Sequence, residues 1–72
     1  MSAVRVREIF YGTGVTTCTR VLPRDVALAI IASRRRWLID HCGMEPLPNE
    51  TPAYVALAAR RDGRIVRCLE LN

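Results

Sequence analysis

The chain has 72 residues, half of them hydrophobic and a quarter charged, and carries a formal net charge of +4. That length allows one domain, residues 1–72, and the apolar fraction excludes a disordered tail. A protein this small hides only about 60% of its extended surface on folding, so a lone core is marginal and self-association is expected to help.

The longest unbroken apolar run, Val26 to Ala32, is seven residues, whereas a bilayer span takes about 20. No apolar stretch follows a basic start near Met1, so a cytoplasmic protein with no membrane attachment is expected. All 11 basic residues are Arg, and Lys is absent. Coding bias in a GC-rich genome accounts for this; guanidinium forks selected to grip carboxylates or phosphates are the functional alternative. Cys18, Cys42 and Cys68 are an odd number with no CxxC pair, which reads as reduced thiols. A zinc site joining them to His41 is disfavoured, because adjacent His41 and Cys42 point about 100° apart on a helix. No metal or other cofactor is expected.

In chain order, residues 3–11 are rich in β-branched and aromatic side chains and predict a strand. Gly12-Thr13-Gly14 supplies a turn, and Val15 to Leu22 completes a hairpin over 3–22. Alternation slips in the first strand: Val4 and Val6 share one face, Ile9 and Tyr11 the other. That predicts a bulge near Arg7-Glu8. Pro23 closes the second strand, Asp25 suits the positive end of a helix dipole, and Gly43 suits a helix terminator. A helix over 24–42 follows. Three prolines within 44–52 predict a stiff surface loop. Asp62-Gly63 between two β-rich runs predicts a second hairpin, over 53–71, with a two-residue type I′ turn. The fold class is α+β: a ββαββ two-layer sandwich, one helix on a mostly antiparallel four-stranded sheet.

On a helical wheel Asp25, Ser33, Arg36 and Asp40 form a narrow polar strip. Val26, Leu28, Ile30, Ile31, Trp37 and Leu38 spread over more than half the circumference. A helix lying on one sheet needs an apolar stripe of about 100° or somewhat more, so the surplus faces something else. The two-residue turn places Tyr54, Ala56, Leu69 and Leu71 on one face of the second hairpin and Val55, Leu57, Val66 and Cys68 on the other. Both faces are apolar, where a solvated face would be polar. Tyr54, Ala56, Leu69 and Leu71 are therefore the expected homodimer interface.

The candidate partner-binding residues are Arg34, Arg35 and Trp37 on the helix and Arg60, Arg61 and Arg64 at the hairpin tip. Arg34 and Arg35 either snorkel over Trp37 and Leu38 or meet acidic groups of a partner. Arg and Trp are the residue types most enriched at binding hot spots. The tip arginines either protect a solvated edge or make contacts. Catalysis is not expected: there is one His, no GxSxG, no HExxH, no P-loop lysine and no telling carboxylate pair. His41 reads as a helix-dipole residue, and no small-molecule substrate is expected. The expected function is a dimeric, non-catalytic protein-interaction module that inhibits or modulates a larger protein complex. Small accessory proteins, including phage-encoded inhibitors, are of this size and layout, an analogy of type without a shared motif. The alternative is a small DNA- or RNA-binding protein using the same arginines on phosphates, although Phe10, Tyr11 and Tyr54 make no RNP-like arrangement.

Overall fold

Pro23 and Gly43 bracket the helix. Pro23 (φ −57°, ψ 147°) holds the backbone extended before α1 (Arg24–Cys42), and Gly43 turns left-handed after it (φ 66°), donating its N–H to the Leu38 carbonyl. Only a residue without Cβ adopts that conformation freely. The computed structural model describes residues 3–12 and 14–72. Met1, Ser2 and Thr13, the centre of the expected first turn, lie outside them.

Five strands accompany α1: β1 (Ala3–Tyr11), β2 (Val15–Pro23), β3 (Met44–Pro46), β4 (Tyr54–Ala59) and β5 (Ile65–Leu71). They form one antiparallel sheet in the order β2-β1-β5-β4-β3. The class is α+β with one helix on the sheet, but the element order is ββαβββ, and the sheet has one strand more than expected. The additional strand, β3, comes from the proline-rich segment. It lies at the sheet edge, where Pro46 needs no N–H toward solvent. Pairing continues one step further as the Leu47 N–H donates to the Ala56 carbonyl at 2.9 Å.

Two further expectations change. The β1–β2 ladder runs unbroken from Ala3↔Pro23 to Tyr11↔Val15, so no bulge lies at Arg7-Glu8. The slip in alternation is real: Glu8 and Phe10 continue the Val4–Val6 row on the helix side. The irregularity lies instead between β4 and β5, where Leu57 pairs with Arg67 and Ala58 with Ile65, so that Val66 is the extra residue. The second hairpin also closes through a longer loop than Asp62-Gly63. The Ala59 N–H donates to the Arg64 carbonyl and the Gly63 N–H to the Ala59 carbonyl, each at 2.9 Å. Gly63 takes φ 72°, the conformation such a loop requires before the chain re-enters a strand.

Ala58 pairs with Ile65 but Leu57 with Arg67, so the irregularity at this step shifts the register of the rest of the hairpin by one residue and exchanges the faces of one strand relative to the other. Val55 now pairs with Leu69 and Leu57 with Arg67. Val55, Leu57 and Leu69 join Val6, Ala27, Ile31 and Leu38 in the core beneath α1, with Leu71 and Leu22 packed against its margin. Tyr54, Ala56, Cys68 and Glu70 lie on the other face. The far side of the sheet also carries Arg5, Arg7, Thr17 and Thr19, so it is more polar than the sequence pattern indicates.

Candidate interaction surface

Where α1 passes over β1 and β5 near Glu8 and Arg67, the apolar core gives way to charge. Glu8, on the helix side of β1, has a side chain only 17% exposed. Its Oε2 accepts from Arg34 Nη2 at 3.1 Å and from Arg67 Nη1 at 2.6 Å. Arg67 comes from β5, and its guanidinium lies 4.1 Å from the centre of the Phe10 ring. One carboxylate thus ties the helix to two strands, and one positive charge is left over. Charge-assisted bonds of this kind are short and roughly twice as strong as neutral ones. Sequence reasoning missed Glu8 as a site residue and the placing of Phe10 and Arg67 beside it. The break in β1 alternation at Glu8 was the available signal.

Trp37 stands on the outside of this cluster. Its side chain is not core: the residue is 47% exposed. The ring stacks on His41 one turn along α1 (centroids 5.3 Å apart, planes 15° from parallel), and the Arg34 guanidinium lies 5.5 Å from its centre. Because Arg34 is itself held by Glu8, the indole is fixed between two neighbours rather than swinging free. Fixing an aromatic side chain before contact lowers the ordering cost of binding.

The other expected contact residues separate into two groups. Arg35 is engaged within the chain: Nε and Nη2 meet Glu50 Oε2 and Oε1 at 3.0 and 2.9 Å, a bidentate bridge. That bridge borders an open cleft of about 340 Å³ between Leu28 and Ile31 of α1 and Pro52 and Val55. Arg60 faces Glu45 at 3.2 Å, both well exposed. Arg61 and Arg64 at the hairpin tip are exposed and, among the described residues, have no carboxylate within 4 Å, as is also true of Arg5, Arg20, Arg24 and Arg36.

The expected dimer quartet is divided by the sheet. Leu69 is 1% exposed in the core, and Leu71 is half-buried against it. Ala56 is also buried, on the opposite face, leaving Tyr54 as the one exposed member. Tyr54 neighbours Glu70 across the ladder and Cys68 diagonally. Burial pushes the Cys68 thiol above its ordinary value, opposed by the Tyr54 hydrogen bond. The charge of the neighbouring Cys68 thiolate, then that same hydrogen bond, push the Tyr54 phenol up. Arg7 pairs with Glu70 beside them.

Among the described residues, no group of three His, Cys, Asp or Glu side chains is placed to hold a metal ion, and no helix is long and apolar enough to cross a membrane. No family model, curated protein or solved structure matches the chain.

Proposed function

We propose that this chain is a non-catalytic protein-interaction module that pairs with itself and inhibits or modulates a larger protein complex in the cytoplasm. The observation that carries the reading is Trp37, nearly half exposed yet held between His41 and an anchored Arg34. Trp and Arg anchors of this type contribute most where a partner's pocket desolvates them completely. The leftover positive charge of the Glu8–Arg34–Arg67 cluster favours a partner with an acidic rim around an apolar pocket. Affinity capture with the immobilised chain, followed by identification of the bound proteins, tests it. A Trp37→Ala chain that keeps its circular dichroism spectrum is expected to lose the specific partner at least tenfold. Equal capture by the variant removes Trp37 from the interface and this reading with it.

A second reading is favoured by the six arginines that have no carboxylate partner among the described residues, which leave guanidiniums open to phosphates. Duplex DNA or RNA binding would then weaken steeply as salt rises. Binding that fails to appear even at low salt excludes it.

A further inference from the structure

The two edges of the sheet are finished differently. At one edge β3 has three residues and ends in Pro46, with Pro48 two residues beyond. Shortness and proline are standard protection against strand addition. At the other edge β2 runs for nine residues, and all but Leu22 are exposed. Its interior has neither proline nor bulge, and its one charge is Arg20. Val, Thr, Cys and Leu make up the rest of that interior. A long, unbroken, β-branched edge left open is a template for another strand.

The hydrogen-bond pattern identifies which groups that edge offers. Arg5 and Asn72 exchange both backbone bonds (2.8 and 3.3 Å), so Arg5, Arg7 and Ile9 direct their N–H and C=O groups toward β5. Alternate residues point the opposite way, so Val4, Val6, Glu8 and Phe10 bond to β2. Their partners are Leu22, Arg20, Cys18 and Thr16. The outward-facing residues of β2 are consequently Val15, Thr17, Thr19 and Val21. Each presents one donor and one acceptor to solvent.

We propose that β2 pairs antiparallel with β2 of a second copy, about a two-fold axis at Cys18, to make one continuous ten-stranded sheet. The set of outward residues is symmetric about Cys18, so this register gives all four a partner of the same type: Val15 with Val21, and Thr17 with Thr19. Each such pair exchanges two backbone bonds. A shift of two residues leaves an outward residue unpaired on each copy. No two charges face each other, because Arg20 lies opposite Thr16. The two helices fall on the same side of the joined sheet. The two Cys18 residues become a direct non-hydrogen-bonded pair on the helix side, with Cα atoms about 4.5 Å apart, which lies within the range a disulfide spans. The second copy is the occupant because the edge complements itself in backbone, side-chain type and charge. This deepens the self-pairing part of the reading above and replaces the divided quartet Tyr54, Ala56, Leu69 and Leu71 as its location.

The register makes the test specific. Sedimentation equilibrium of the intact chain is expected to give a mass approaching twice 8.1 kDa as concentration rises. Thr17→Lys with Thr19→Lys sets like charges opposite each other across the axis and is expected to give monomer with an unchanged circular dichroism spectrum. Thr17→Lys with Thr19→Glu sets opposite charges there and is expected to restore the dimer. In a Cys42→Ser, Cys68→Ala background, mild oxidation is expected to link two chains through Cys18, and Cys18→Ser abolishes the link. A monomer at every concentration overturns the proposal. So does a dimer indifferent to both charge variants, or one that Cys18 fails to trap. Partner capture through Trp37 on α1 is read separately, so a monomer that still loses its partner on Trp37→Ala sinks the edge pairing alone.

Discussion

The two hairpins draw on similar residues and end in opposite surroundings. In β4 four consecutive residues, Val55 to Ala58, are buried, while β2 has none. Position in the sheet separates them, since β4 has a strand on each side and β2 on one only. The lesson is that β-rich composition makes a strand, and its neighbours decide whether that strand is core or surface. The largest effect expected from this contrast is in stability. Leu57→Ala, at a fully buried site, should cost about 2–5 kcal/mol in denaturant unfolding. Val21→Ala, at a residue 65% exposed, should stay within about 0.5 kcal/mol. Comparable losses at the two sites would mean that the β2 edge is not an open surface.

The helix was legible from Pro23 and Gly43, because each acts on its own backbone. Both hairpins were legible as pairs of strands. Their faces were not. The second hairpin's face assignment depended on an irregularity between Leu57 and Ala58, and the one residue it adds exchanges Leu69 with Cys68. The Met44–Pro46 strand was hidden because proline forbids a central strand but tolerates an edge. The Glu8–Arg34–Arg67 cluster joins residues 26 and 59 positions apart, a distance at which spacing carries no signal. What β1 did record was a polar residue where alternation called for an apolar one.

That cluster sharpens the contrast from the polar side. Glu8→Ala leaves Arg67, whose side chain is 16% exposed, without its carboxylate. The expected loss is about 1–3 kcal/mol. Glu8→Gln keeps an acceptor oxygen and should recover part of it. Arg35→Ala breaks a bridge that lies about one-third exposed on both sides, and should cost under about 1 kcal/mol after screening. If Arg35 proves the more important, the helix is anchored through the 47–53 loop rather than through β1 and β5.

The far face yields a pH test. Both Cys68 and Tyr54 are raised in the folded chain, so the unfolded chain releases these protons first. Stability is therefore full below the unfolded values and falls as pH rises above about 8.5, the ordinary thiol value. Cys68→Ala should flatten that decline in urea titrations at pH 7 to 10. Alkylation gives an independent reading: exposed Cys18 and Cys42 should react well before buried Cys68.

A small expected change in stability accompanies the largest expected change in binding. Trp37 touches Arg34 and His41 but belongs to no part of the buried core. Its removal forfeits one stacked pair and one cation–π contact of about 0.5–1 kcal/mol at an exposed site. Unfolding of Trp37→Ala should therefore track the parent within about 1 kcal/mol. A hot-spot tryptophan, by contrast, weakens its complex by about 2 kcal/mol or more when truncated. A residue that matters little alone and greatly in company is the signature of a contact surface. Retained stability with lost capture would place the partner on the α1 side. A large loss of stability would instead make the indole structural, leaving the open β2 edge as the surface that distinguishes the first hairpin from the second.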